Sequence, residues 1–364
     1  MSRNLCILLC TFVAACSATP AHTPDGAPAP DLASSGGDQG DNRTCPPQPG
    51  DYVPGRPSPP YAACISDDGQ YHPFNPGSIS TIARIAAFEA IADLLWRGDR
   101  LPTQDDFLQA SVRLREDNGL QSRLSRREDE HYPPVLDAMG KTRCGDMMVA
   151  QMNPDRCVGP ARMSPLVNDA LAAGGRGENP RVNAARVEAG LLWFLFISTH
   201  KEAVTCGTEK KDDCDSCWAY YGGGEQRGGG RGLARYVRMV DPGVHNAIFD
   251  GTLAVRCWRD LDPALPAQNA ALRDRAIGQL DRALHAGVAR VVEARLGQLR
   301  QNTGDRRDAD LAFIQILGAS LLREARLRDA ARADQLQQEL SRTDAAQVDV
   351  GRAQRLLREI FPCP

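Results

Sequence analysis

The sequence predicts an all-α protein: a large multi-helix domain with long C-terminal helices, disulfide-stapled loops and a disordered N-terminal tether. Three observations carry that prediction. Ala, Leu, Arg, Asp and Glu are abundant while aromatics are only 5% of the chain, a balance that favours helices over sheets. Apolar residues recur at helical spacing in several long stretches. No pair of alternating apolar runs flanks an Asn-Gly or Asp-Gly turn, so no hairpin is expected.

The elements follow in order. Ser78 to Trp96 carries Ile82, Ile85, Ala86 and Trp96 at helical spacing. Thr103-Gln104-Asp105-Asp106 has the form of a capping-box variant opening a second helix. Asn179-Pro180 reads as a cap with a first-turn proline. It opens a helix from Arg181 to about Thr205 that is apolar on all sides over Leu191 to Ile197, the mark of a central, buried element. Asp241-Pro242 repeats the signal for a helix reaching Asp260. Gln268 to Arg300 reads as one long helix or two joined end to end. Asp305 to Arg328 and Asp344 to Ile360 complete the set, each with an acidic residue at its start that suits the helix dipole.

The N-terminus reads differently. Arg3 supplies a positive n-region, and Leu5 to Ala15 is an apolar run of h-region length. It falls short of the roughly 20 residues a membrane-spanning helix needs. The run Val13-Ala14-Ala15-Cys16 resembles the lipobox of bacterial lipoproteins, which implies an acylated Cys16 as mature N-terminus. An ordinary secretory signal cut near Ala15 or Ala18 is the plainer alternative. With Ser17 after the cysteine, the resemblance implies the outer membrane as destination. Residues 1–15 are then a signal peptide and residues 16–60 a lipid-anchored linker rich in Pro, Gly and Ser, with too little apolar surface to order itself. Residues 61–364 form the helical domain. The expected membrane contact is the N-terminal lipid alone.

Of the 12 cysteines, Cys6 and Cys10 leave with the signal and Cys16 takes the lipid. The rest are Cys45, Cys64, Cys144, Cys157, Cys206, Cys214, Cys217, Cys257 and Cys363. In an exported protein they read first as disulfides. Short loops suggest Cys144 with Cys157, Cys206 with Cys214 or Cys217, and Cys45 with Cys64 stapling the tether to the domain; an odd count leaves one thiol over. Cys214-Asp215-Ser216-Cys217 is also a CxxC pair, which a zinc site or a redox site would use.

For function, the net charge of −3 and the lack of a long basic run argue against a nucleic-acid partner. His200 near the end of the buried helix, with Glu202 beside it, is a candidate metal ligand or general base; its plainer role is to bond the last carbonyls of its helix. Glu89 lies on the apolar stripe of the first helix, where a carboxylate needs an arginine or a metal. Iron or zinc is the metal considered. Glu128-x-x-His131 has the spacing of one half of a di-iron site, without a second half. His245 reads as structural. The glycine-rich stretch after the cysteines, with Trp218, Tyr220, Tyr221, Glu225 and Arg227, is a candidate ligand loop or a plain connection. The functional expectation is an envelope-anchored binding or uptake protein for a metal ion or small solute. Alternatives are a hydrolytic enzyme of the envelope, with His200 as base and Glu202 or Glu89 orienting it, or a structural lipoprotein without chemistry. Imelysin-like lipoproteins, linked to iron, fit the broad description, but their Gly-x-His-x-x-Glu motif is absent here.

Overall fold

Helix α1 (Ser80–Leu95) buries Ile85, Phe88, Ile91, Ala92 and Leu95 on one face. Its polypeptide belongs to a computed structural model that describes residues 46–56, 60–116, 119–124, 135–137, 140–142, 148, 163–208 and 210–363. Helix α2 (Gln104–Arg115) starts at the capping box the sequence predicts: the Asp106 amide donates to Thr103 Oγ1, and the Thr103 amide donates to Asp106 Oδ2 at 2.7 Å. A short antiparallel pair, β1 (Val135–Asp137) and β2 (Gly140–Thr142), is an element the sequence does not announce. Six paired residues leave the all-α class unchanged.

Helix α3 (Met163–Gly175) then packs on α4 (Pro180–Thr205), the central helix. α4 buries residues all round over its middle, from Val187 to Thr199, as an element apolar on every side must. Asn179 takes the N-cap position, but with φ +38° it is left-handed and its side chain does not cap; a capping residue normally takes the extended conformation, from which its side chain reaches the N2 or N3 amide. Around α4 lie α3, α5 (Asp213–Gly222) and α9 (Gly304–Ala319). A second layer pairs α7 (Pro242–Leu261) with α8 (Ala270–Gln301), preceded by α6 (Leu233–Val240).

Asp241 caps α7 as expected, accepting from the Val244 amide at 2.9 Å. Gly251 lets α7 and α8 approach closely: a Cβ there would sit 2.7 Å from Leu280 Cα. The Gln268–Arg300 stretch is a single helix of 32 residues. The stretch expected as one helix from Asp305 to Arg328 is two, α9 and α10 (Leu322–Arg328). The break follows Gly318, where Ser320 Oγ donates to Leu317 O at 2.6 Å and ends the ladder locally. Helix α11 (Ala330–Leu340) was not expected; the Asp329 side chain caps it. The last segment is a 3₁₀ turn over Ala345–Gln347, then α12 (Val350–Ile360) capped by Asp349.

The packed structure also reaches into the expected linker. Tyr52 is 1% exposed, and its amide and carbonyl both pair with the Gln279 side chain at 2.8 and 2.9 Å. Asp51 meets Arg282 at 2.6 Å. An apolar ring with a satisfied backbone outweighs the ordering cost that the proline content implied.

Two disulfides are described, Cys64–Cys257 and Cys206–Cys214. The first corrects the expected Cys45–Cys64 pair: Cys64 is tied to α7, 193 residues away. The second settles the Cys206 alternatives, and it divides the CxxC, leaving Cys217 as a buried free thiol. Cys363 is also disulfide-bonded. Cys16, Cys45, Cys144, Cys157, Glu128 and His131 lie outside the described residues. Among the described residues no helix is long and apolar enough to cross a membrane.

Candidate ligand cleft

The residues singled out in the sequence are dispersed rather than gathered. Glu89 is held by arginine: Arg97 Nη1 lies 2.5 Å from its Oε2, and the Gly232 amide donates to its Oε1 at 2.8 Å. His200 faces α8, where its Nδ1 is 2.9 Å from Asp281 Oδ1. The carboxylate beside His200 is therefore Asp281, in place of the expected Glu202 or Glu89. Asp281 also meets His285 Nδ1 at 3.3 Å. Burial opposes a charged Asp281, yet the two imidazoles hold it far below the usual carboxylate range. His285, buried against Phe196 and Phe361, is shifted upward: burial acts to lower it, and Asp281 prevails. Glu202 is buried on α4, near enough to Cys217 to help burial push that thiol upward. Among the described residues no group of three or more His, Cys, Asp or Glu side chains could hold a metal.

The aromatic residues of the candidate ligand loop lie inside the fold. Trp218, Tyr220 and Tyr221 belong to α5 and are at most 4% exposed. Trp218 stacks on Tyr71 at 4.5 Å and donates to Glu225 O. Tyr220 packs edge-on to Phe194. Tyr221 OH lies 2.8 Å from His245 Nδ1. Since His245 Nε2 faces the Arg227 carbonyl at 2.9 Å, Nε2 carries the proton and Tyr221 donates to Nδ1. His245 is structural, as expected. Glu225 pairs with Arg231 at 2.7 Å and Arg227 with Asp250 at 2.5 Å. Aromatic residues at helical spacing were drawn inward by their own apolar area, leaving the glycines to make the turn.

What the fold does build is a cleft of about 460 Å³ at the opposite end of α1. Its walls are the loop after α1, one face of α4, the helix α6, and the facing parts of α8 and α9. α4 contributes Arg181, Ala184, Ala185 and Glu188, spaced as one helical stripe. The two alanines leave the space; the two charged residues line it. α8 contributes Arg295, Gln298 and Gln301, with Asn302 just past its end, and α9 contributes Arg306, Ala309 and Asp310, again on single stripes.

A continuous polar network forms the floor. Trp96 Nε1 donates to Tyr236 OH at 2.7 Å, and Tyr236 OH donates to Glu188 Oε1 at 2.8 Å. Arg295 donates to Glu188 Oε2 at 2.9 Å and to Asp310 Oδ1 at 3.3 Å. Asn302 Nδ2 donates to Asp310 Oδ2 at 2.7 Å. Glu188 and Asp310 are both buried, and burial raises both carboxyls above their ordinary values against the pull of Arg295. Burial acts to lower the Arg295 guanidinium, but the two carboxylates hold it above its usual value. One guanidinium fork between two carboxylates is a rigid, directional pairing.

Sequence reasoning missed this floor. Its signal was available: Glu188 is a carboxylate three residues before the most apolar run of the chain, Leu191 to Ile197, where only a buried partner makes it tolerable. Arg295 is more than 100 residues away, and no local pattern connects the two.

No protein-family model matches the chain, and neither a curated protein nor a solved structure matches it.

Proposed function

We propose that this protein is an exported, lipid-anchored binding protein that holds a small solute in the cleft above the Glu188–Arg295–Asp310 network. The observation that carries this reading is the cavity itself. Its volume of about 460 Å³ falls within the roughly 300–1,000 Å³ of small-molecule sites. A buried network positions polar groups beneath it, the combination of shaped space and few fixed polar groups that binding sites use. The lipobox-like Val13-Ala14-Ala15-Cys16 supports the anchor. The solute reading is preferred over the metal reading because His200 and Glu89 each have a partner in the chain.

Two experiments test it. A screen of small solutes by thermal shift is run on the wild type and on Gln298→Trp, a half-buried position in the cleft wall. Ligands that stabilise the wild type and leave Gln298→Trp unmoved support the reading; an identical response of both refutes it. For the anchor, membrane-fractionated cells expressing the wild type and Cys16→Ala are compared. Loss of the protein from the detergent phase in Cys16→Ala is expected, and unchanged partition would exclude the lipid.

A further inference from the structure

The cleft contains an uneven supply of hydrogen-bond donors. Six arginines line it, and three of them are paired with no buried nitrogen left over. Arg100 holds Asp106 with both terminal nitrogens, at 2.5 and 2.8 Å. Arg181 pairs with Asp305 at 3.0 Å, and Arg295 is committed to the floor. The other three are less fully matched. Arg97 has a side chain only 10% exposed; its Nη1 serves Glu89 and Asp93, yet its buried Nη2 has no hydrogen-bond partner. Arg235 reaches its nearest carboxylate, Glu89, only at 3.9 Å, and the same Oε2 already lies 2.5 Å from Arg97. Arg306 approaches Asp99 at 3.8 Å, and that carboxylate is 97% exposed, so solvent screens it.

A buried donor left unmatched costs about 1–3 kcal/mol, more when it is charged. The fold nevertheless keeps Arg97 Nη2 in that state on a residue that lines the arginine-rich cleft. The acceptor it lacks is one the chain does not supply. Guanidinium groups match the two oxygens of a carboxylate or phosphate with parallel N–H donors. Beside them, Trp96 and Met239 offer apolar surface to the same space.

We infer that the solute is an organic oxyanion, a carboxylate or a phosphomonoester with an apolar body, whose charged head is bound by Arg97, Arg235 and Arg306. This inference rests on the cleft being a solute site, and names what the site selects. The guanidinium donors discriminate by charge and the cavity by size, so a neutral molecule of the same shape leaves Arg235 and Arg306 without a close anion and binds weakly.

The test is calorimetric titration of the full mature chain with phthalate, phenyl phosphate, inorganic phosphate and neutral benzamide. The panel is repeated on Arg97→Gln, Arg235→Gln, Arg306→Gln and Gln298→Trp, with folding checked by circular dichroism. The expected result is binding of phthalate or phenyl phosphate, weakened about tenfold or more by each arginine variant and abolished by Gln298→Trp. Whichever of the two binds more tightly identifies the head group. Arg235→Gln and Arg306→Gln keep the test decisive if Arg97→Gln does not fold, since neither removes a close ion pair. Benzamide bound as tightly as the anions, and blocked by Gln298→Trp, would leave the solute site standing and overturn the anion assignment. Anion binding indifferent to the arginine variants would overturn it too. No binding by any of the four probes would count against both the site and its selectivity.

Discussion

Tyr236 OH donates to Glu188 Oε1 at 2.8 Å while accepting from Trp96 Nε1 at 2.7 Å, so one phenol joins α1, α4 and α6 at the base of the cleft. The network it belongs to is fully matched, which makes it sensitive to losing any single member. Glu188→Ala leaves Arg295 buried with half its partners, and breaking a buried pair costs roughly 3–5 kcal/mol. Tyr236→Phe leaves Trp96 and Glu188 each short of one bond, a loss of about 1–3 kcal/mol. Urea unfolding of the two variants measures both, and a Glu188→Ala protein as stable as the wild type would contradict the network.

The Asp281 carboxylate between two imidazoles makes stability depend on pH with a definite sign. His285 is raised in the folded protein, mainly by Asp281 against burial. Its contribution is therefore complete below the ordinary histidine value of roughly 6.5 and is lost as pH rises through the folded value. Asp281 is depressed, so its contribution is present above roughly 3.9 and is lost only in strong acid. His285→Asn should cost more stability at about pH 5.5 than at about pH 8.5. Urea midpoints at the two pH values check this, and a cost that grows with pH would reverse the assignment.

His245 works in the opposite sense. Burial lowers it, and its neutral form is fixed between Tyr221 and the Arg227 carbonyl. The unfolded chain takes up this proton more readily, so acidification below roughly 6.5 destabilises the fold through this residue. In Tyr221→Phe the ring keeps the Arg227 carbonyl but loses its donor, and the NMR titration of His245 should move upward. An unchanged titration would show that Tyr221 does not hold the tautomer.

The cysteines should separate by chemistry. Cys257→Ser opens a loop of 193 residues to Cys64 and is expected to cost about 2–5 kcal/mol. Cys217, whose thiol is pushed up by burial and by Glu202, should resist a thiol reagent in the native state and react after unfolding. Timed labelling with and without urea distinguishes these states; rapid native labelling of Cys217 would place it at a surface.

Close helix contact at Gly251 gives a further check. A methyl group there would fall 2.7 Å from Leu280 Cα, backbone that cannot rotate away. Gly251→Ala should therefore destabilise by about 1–3 kcal/mol, the usual cost of overpacking, although alanine is the better helix former. A rise in the thermal midpoint would show that α7 and α8 separate freely.

Much of the architecture is legible in the amino-acid sequence because helices are specified locally. The Thr103–Asp106 box, the Asp241 cap and the unbroken apolar surface of α4 each declare themselves within a few residues, and each stands in the structure. Local signals also failed in instructive ways. Asn179 has the right identity and position for a cap but the wrong backbone, and Gly318 with Ser320 divides a helix that composition alone would continue. Tyr52, in a proline-rich stretch, is ordered by Gln279 from far along the chain.

The sequence by itself determined the helical class, most helix starts, the buried rank of α4 and the oxidising chemistry of the cysteines, since propensity, capping and periodicity act over one or two turns. Which side chains meet is a different question. Whether His200 faces Asp281 or Glu202, whether Cys64 joins Cys45 or Cys257, and whether Glu188 meets Arg295 depend on how whole helices cross. Only the tertiary structure decided these pairings, because a buried charge is matched by whatever packing brings within about 3–4 Å.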